Sequence, residues 1–503
     1  MDLPSFEQFE SIYQQESNQI IFTQLPADLD TPVTIMLKLT GVEKNSFLLE
    51  SVTGGEDLGR YSIVGFAPDL IWKFHNQNAT ITWSHGFEKD DTLPLESEHP
   101  LASLRQLIAK SKIDIPEELP SSSAGIFGYF SYDMIRVIED LPNGNPDVIG
   151  TPDALFIRPS IIAVIDGVKR EVTLTCPIWY NPNISARDAY NQGRNRLQGA
   201  VNKLEEVAIK YKTAKAGQQT PLDFVAETTK EEYEKIVTTS KNYIQAGDAL
   251  QILPSQRWSL KFEHPPFSLY RALRQTNPSP FMFFFNFDGF HVIGASPEIL
   301  VRVANDQVIV RPIAGTRPRG NSSEEDDALA HELLNDEKEL AEHLMLLDLG
   351  RNDVGRVAKI GSVKPTEQFV IEKYSHVMHI VSNVTGELAE NEDALSALMA
   401  GFPAGTVCGA PKIRAMEIID ELEKTKRGIY SGGVGYFSSN DEMDMCIALR
   451  TAVIKDQTLY IQAGGGVVFD SDPAFEWQES VDKSMALRKA AENAHKFLIE
   501  LSE

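Results

Sequence analysis

Cysteine is almost absent from this chain, with 3 among 503 residues, at Cys176, Cys408 and Cys446. A sparse, odd-numbered set without metal-ligand spacing excludes a disulfide framework and a thiolate zinc site, and it is the pattern of reduced thiols in a cytoplasmic protein. None of the three lies in a nucleophile signature. Basic residues are also short: 47 Lys and Arg stand against 72 Asp and Glu, a formal net charge of −25. Such a balance supplies no basic stripe for a nucleic-acid partner. An anionic substrate must therefore be drawn by local cations. No run approaches the roughly 20 apolar residues of a membrane span, and the most apolar stretch, Phe281–Phe287, is only strand length. The acidic opening MDLPSFEQFESIYQQ lacks a charged-then-apolar signal pattern, so neither export nor a membrane partner is expected.

A chain of 503 residues is long for a single core, and two lobes are expected. Residues 30–90 alternate in the strand manner (TIMLKL, SFLLES, YSIVGF, LIWKF, ATITW), and strands return at GIFGYFSYD and ALFIRPSIIAVIDGVKREVTLTC. Helical periodicity follows over 185–212, and the polar stretch KTAKAGQQTPLDFVAE reads as a linker. A helix then opens on a capping box, Thr229 with Glu232, and stops at Gly247. Strands over 249–260, 281–287, 290–295, 298–303 and 307–312 precede a long helical region, 324–358. The organisation reads as an N-terminal domain (1–175), a helical connection and linker (176–228), a catalytic domain (229–490) and a C-terminal helix end (491–503). The predicted architecture is α+β, two intertwined lobes of antiparallel β-sheet flanked by helices.

The chemistry-bearing feature that stands out is two carboxylate pairs, Glu339/Glu342 in DEKELAEH and Glu476/Glu479 in DPAFEWQES. Spacing of i,i+3 puts each pair on one helix face. Two such faces brought together would need a divalent cation or protonation to tolerate each other. Taken singly, each pair is as well explained by solvated helix glutamates, and Glu476 by the dipole of a first turn after Asp472-Pro473.

Eight segments lie in an order and spacing that resembles the chorismate-binding enzymes: IGASPEIL, RPIAGTRPRG, DEKELAEHLMLLDLGRND, YSHVMHIVS, FPAGTVCGAPKIRAMEIIDELE, RGIYSGGVGYF, ALRTAV and QAGGGVVFDSDPAFEWQES. The likeness is strong over about 230–485 and weaker over the first 170 residues. It implies chorismate as substrate and Mg²⁺ held by Glu342 and Glu479, with Glu339 and Glu476 behind them. It also implies Arg450 and Tyr430 on a substrate carboxylate, and Gly315 and Thr316 against the substrate ring, although Gly315-Thr316 in RPIAGTRPRG by itself reads as a plain turn. Gly464, Gly465 and Gly466 would offer backbone amides to a carboxylate, although a glycine run after a strand is by itself equally a bulge. Lys483, four residues past Glu479 on one helix face, suits either that anion or an intrahelical pair with Glu479. Glu298 is the implied general acid to the departing ring hydroxyl, which requires a raised pKa. His379 is the implied proton carrier of the aromatising step, with Thr316 in the same catalytic set, although a lone histidine in an apolar strand is more often structural. His343 and His376 are expected to be structural or supporting.

Two positions separate the family's branches. Isochorismate and salicylate synthases carry a water-activating lysine where this chain has Gln251, and aminodeoxychorismate synthases typically carry a nucleophilic lysine where it has Ala314. Neither Gln nor Ala can do that chemistry, which leaves direct attack by ammonia and release of pyruvate to give anthranilate. The ammonia implies a glutamine amidotransferase partner, component II of anthranilate synthase, since Cys408 belongs to the segment TVCGAPK. The N-terminal segment resembles that family's L-tryptophan feedback site, in which Leu49, Glu50 and Ser51 meet Pro280, Phe281 and Met282 of NPSPFM; Phe281 stands where tyrosine is frequent. Alternative readings are aminodeoxychorismate synthase component I and a non-catalytic subunit that senses chorismate or tryptophan.

Overall fold

The structure, a computed structural model, describes residues 3–51, 59–84, 87, 99–211, 222–374 and 377–502. Among these, 20 strands join in one sheet. Strands from the two halves of the chain meet in it at two seams. Ser46–Glu50 pairs antiparallel with Phe281–Phe287, setting Glu50 opposite Met282 and Leu49 opposite Phe283. Gly125–Phe130 pairs antiparallel with Gly433–Ser438. The stretches expected as separate domains, 1–175 and 229–490, are thus hydrogen-bonded to one another, in keeping with the α+β fold of intertwined lobes.

Phe281–Phe287 shows why so apolar a run is a strand. Successive side chains point to opposite faces: Met282 and Phe284 enter one hydrophobic cluster, while Phe283, Phe285 and Phe287 enter another. A strand buried on both faces loses the polar alternation of a half-exposed one. Each phenylalanine buried contributes roughly 1.5–3 kcal/mol. No helix among the described residues is long and apolar enough to cross a membrane.

The helix predicted from Thr229 forms as Lys230–Ala246, with the Thr229/Glu232 capping box and Gly247 left-handed at its end. Several other expectations are corrected. TIMLKL is not a strand but most of the helix Pro32–Thr40. Its end signals outweigh its strand-like alternation: Thr31 and Thr34 cap reciprocally, Pro32 occupies the first turn, and Gly41 closes it at φ 57°. The segment around Gly315, expected as a turn, is the strand Ile313–Pro318. The helical region 324–358 is two helices, Ser323–Leu333 and Glu337–Gly355, the second started by Asp336 accepting from the amides of Lys338 and Glu339. The C-terminus does not simply finish a helix: Ile499–Ser502 forms a strand against Ala208–Tyr211. Part of the expected linker, 212–221, and the feedback segment's 52–58 lie outside the described residues.

Candidate active site

Three adjacent strands carry the first part of the site. Val377–Glu387 lies between Ile313–Pro318 and Lys364–Lys373, and the registers set Thr316 and Glu372 on either side of His379. A bulge between Ala314 and Thr316 is turned by Gly315 at φ 68°, a conformation that favours glycine. The bulge aims both the Gly315 carbonyl, 3.0 Å away, and Thr316 Oγ1, 3.1 Å away, at His379 Nδ1. A carbonyl can only accept, so Nδ1 carries the proton in the neutral ring and Nε2 keeps its lone pair. Burial holds the imidazole below its ordinary pKa; the Gly315 bond raises it in part, and the Arg450 charge lowers it further. The lowered pKa favours the neutral ring, with the Nε2 lone pair left free of the Gly315 and Thr316 contacts.

Glu298 follows the strand Phe290–Ser296 and is buried. Burial pushes its carboxyl up to about 8, against the lowering effect of bonds from Thr406 and the Ile313 backbone. Thr406 Oγ1 donates to Glu298 Oε1 at 3.0 Å. Thr406 was missed in the sequence reading; its only signal was its place in FPAGTVCG. Arg450, at φ 47°, has no carboxylate within 4 Å among the described residues, and burial lowers its pKa. A half-buried guanidinium with no carboxylate beside it among the described residues is a natural seat for an anion. Tyr430 is pushed up to about 12 by burial and so stays a hydroxyl donor. The Arg427 guanidinium lies 5.8 Å from its ring centroid, and Arg427 itself is pinned by Glu423 at 2.7 Å.

The carboxylate pairs converge on the same place. Glu339 and Glu342 sit near the start of Glu337–Gly355, where a Cβ on Gly315 would come within 3.2 Å of Glu339 Oε2. Arg317 holds Glu339 at 3.3 Å. Burial raises the Glu339 carboxyl, opposed by the Arg317 bond and reinforced by the Glu342 charge. Glu476 and Glu479 lie on Pro473–Asn493, which starts, as expected, from Asp472. Glu476 is raised to about 7, first by burial and then by Glu479, and its Oε2 is buried without a hydrogen-bond partner. Between the pairs stands the glycine run. A Cβ on Gly465 would lie 2.7 Å from Glu479 Oε2 and 2.9 Å from Glu476 Oε2, and one on Gly466 2.8 Å from Gln251 Nε2. Gln251 in turn donates to Glu342 Oε1 at 2.9 Å. Gly464 differs from its neighbours: it pairs with Ser255, where a Cβ would strike Pro254 O at 2.2 Å, so its smallness serves strand packing. Lys483 reaches both Gly464 O, at 3.2 Å, and Glu479, at 3.4 Å.

Among the described residues no three His, Cys, Asp or Glu side chains are grouped closely enough to hold a metal by themselves. Mg²⁺ fits the arrangement nonetheless, because it binds through one or two carboxylates and keeps several waters. The Oε2 of Glu476, buried beside Glu479 without a hydrogen-bond partner, is an acceptor that a proton or a cation would satisfy.

The six residues predicted for the feedback site, Leu49, Glu50, Ser51, Pro280, Phe281 and Met282, all line one cavity of about 240 Å³. That is near the lower end of small-ligand pockets, roughly 300–1,000 Å³. The pairing of Ser46–Glu50 with Phe281–Phe287 is what joins two segments over 200 positions apart. The Glu50 carboxylate, however, is held by Arg274 at 2.9 Å and by the Tyr270 hydroxyl. His343 is fully buried and bonded to Ser382 Oγ at 2.7 Å, as a structural histidine is; His376 lies outside the described residues. The three thiols are all buried, and burial pushes Cys176 and Cys408 up to about 11.

The chain is similar to known proteins over nearly its whole length. The family described as chorismate binding enzyme matches residues 45–489. Anthranilate synthase component 1 of Cereibacter sphaeroides is 60% identical over 499 residues, covering 98% of this chain and 99% of its own. The protein of that name from Pseudomonas putida is 49% identical over 475 residues, covering 92% and 93%. The crystal structure of anthranilate synthase component I from Streptococcus pneumoniae superposes with a TM-score of 0.74 at 36% identity, over 92% of this chain and 99% of that one. The menaquinone-specific isochorismate synthase of Escherichia coli, at 17% identity and a TM-score of 0.68 over 97% and 99%, shares the fold. With its fold, its motifs and these relatives in agreement, the chain belongs to the chorismate-binding enzyme family, among the anthranilate synthase component 1 proteins.

Proposed function

We propose that this chain converts chorismate and ammonia to anthranilate and pyruvate through aminodeoxyisochorismate, the first committed step towards tryptophan. The observation that supports this reading is the neighbourhood of the site residues: the Ile313 backbone bonds Glu298 on the strand that carries Gly315 and Thr316, these two meet His379, Gly315 lies against Glu339, Gln251 bonds Glu342, and Gly466 and Gly465 lie against Gln251 and against Glu476 and Glu479 respectively. Arg450 and Tyr430 hold a substrate carboxylate. Glu298, protonated at neutral pH, gives its proton to the ring hydroxyl, which leaves as water while ammonia bonds to the ring carbon beside the carboxylate. His379 Nε2 then takes the ring proton, the ring C–O bond to the enolpyruvyl group breaks as the ring becomes aromatic, and a proton delivered to the methylene carbon of the departing enolpyruvate completes pyruvate. Mg²⁺, held by Glu342 and Glu479, supplies positive charge to the substrate's ring carboxylate when bound. Gln251 supports ammonia over water as nucleophile, since its amide is spent on Glu342 and has no lone pair fit to deprotonate water.

The buried thiols support a separate glutaminase subunit as the ammonia source, and the cavity shared by Leu49–Ser51 and Pro280–Met282 supports feedback by L-tryptophan. The test is to incubate the purified chain with chorismate, Mg²⁺ and ammonium at high pH and record anthranilate fluorescence. Fluorescent product from ammonium, with none from glutamine alone, is expected. An aminodeoxychorismate product, or glutamine-dependent turnover by the pure chain, would overturn the reading.

A further inference from the structure

His379 is tethered at a single atom. Both of its hydrogen-bond partners, Gly315 O and Thr316 Oγ1, meet Nδ1. With hydrogen bonds on its Nδ1 side alone among the described residues, small χ1 and χ2 adjustments that keep those bonds still move Nε2, the nitrogen that must meet the substrate proton. A mis-aim of about 1 Å is enough to cost a proton transfer most of its rate. What limits these adjustments is Tyr374, whose ring meets the imidazole edge to face at 5.6 Å between centroids and 63° between planes.

Tyr374 is itself oriented from behind. Its hydroxyl donates to Glu372 Oε2 at 2.7 Å, and Glu372 Oε1 accepts from Arg311, which also reaches Glu367 at 3.4 Å. Glu372 is the strand residue directly opposite His379. Arg311, Glu372 and Tyr374 therefore form a brace from one side of the three-stranded unit to the face of the imidazole. A tyrosine kept only to fill space would not need its hydroxyl held by a carboxylate that is held in turn by an arginine.

We propose that Tyr374, braced by Glu372 and Arg311, is a positioning residue that fixes the plane of the His379 ring for the aromatising step. The inference rests on the assignment of His379 to that step. Tyr374→Leu removes the ring contact and Tyr374→Phe keeps it without the brace. Both are to be compared with wild type and His379→Met for the ratio of aminodeoxyisochorismate to anthranilate by mass spectrometry, for the KM of chorismate, and for the melting temperature. Tyr374→Leu is expected to raise that ratio by about two- to ten-fold, the range one ring contact is worth, with KM and melting temperature close to wild type. Tyr374→Phe, which keeps the ring and loses the brace, should fall between Tyr374→Leu and wild type, and a wild-type ratio in it would remove Glu372 and Arg311 from the inference. If His379→Met accumulates the intermediate and Tyr374→Leu does not, or if Tyr374→Leu slows both steps equally, the inference fails alone. If His379→Met releases both products in the normal ratio, the assignment of His379 fails and the inference with it.

Discussion

Replacing Glu298 with Gln separates what the buried acid does for catalysis from what it does to stability. The carboxyl rises from an ordinary 4.5 to about 8, chiefly through burial. At ~1.36 kcal/mol per pH unit that difference is roughly 5 kcal/mol, an upper bound because the site relaxes when it ionises. The sign follows from the direction of the rise. Folding favours the protonated form, so the contribution is fully present below pH 4.5, is lost progressively as pH rises towards 8, and is constant above that. Glutamine has the same shape, can still accept from Thr406 Oγ1, and does not titrate. Chemical denaturation from pH 4.5 to 9 should therefore show the variant gaining on wild type by several kcal/mol between pH 5 and 8, with the gap then flat. Turnover should meanwhile fall by about 10²–10⁴, the usual worth of general-acid help. Parallel stability curves would mean that Glu298 is ionised in the folded protein, and with it the argument for a protonated acid would go.

The remaining expectations follow from particular contacts. Gly465→Ala would push a methyl into Glu476 and Glu479; activity at ordinary Mg²⁺ should drop about 10- to 100-fold and recover in part at high Mg²⁺, and a drop that no amount of Mg²⁺ relieves would argue against a metal there. Glu342→Gln or Glu479→Gln should abolish turnover at ordinary Mg²⁺ while the circular dichroism spectrum stays unchanged; wild-type rates in excess chelator would sink the assignment. Ser51→Phe should crowd the cavity of about 240 Å³ and raise the tryptophan needed for half inhibition roughly ten-fold or more, a loss of 1.4 kcal/mol or above; equal inhibition of variant and wild type would leave the cavity without that role. Arg427→Met leaves the buried Glu423 carboxylate unpaired and frees the Leu253 and Val407 carbonyls. It should cost about 3–5 kcal/mol and lower the melting temperature by roughly 3–5 °C, and an unchanged calorimetric midpoint would contradict it.

Local signals in the chain were enough for whatever depends on near neighbours. The cap at Thr229, the glycine stop at Gly247, the start at Asp472 and the i,i+3 carboxylate pairs are written within a few residues, because helix ends and helix faces are made from adjacent turns. Ordered motifs likewise carried the family and its candidate residues. Local reading failed where two short-range signals competed. TIMLKL alternates like a strand, yet Thr31, Pro32 and Gly41 bound a helix, and the end signals won. Gly315 announced a turn, but the flanking residues had partners on both sides and the glycine became a bulge within a strand.

Only the tertiary structure decided which of these residues meet. Sheet register brought Leu49–Ser51 to Pro280–Met282 and set Thr316, His379 and Glu372 in a row. Close backbone approach at Gly465 and Gly466 set Gln251 between the two carboxylate pairs. Burial, which no neighbouring residue can announce, raised the Glu298 carboxyl and lowered the His379 imidazole. The motifs carry the residue types that chemistry needs, whereas distance and desolvation are properties of the folded chain, and it is these that turn a glutamate into a proton donor.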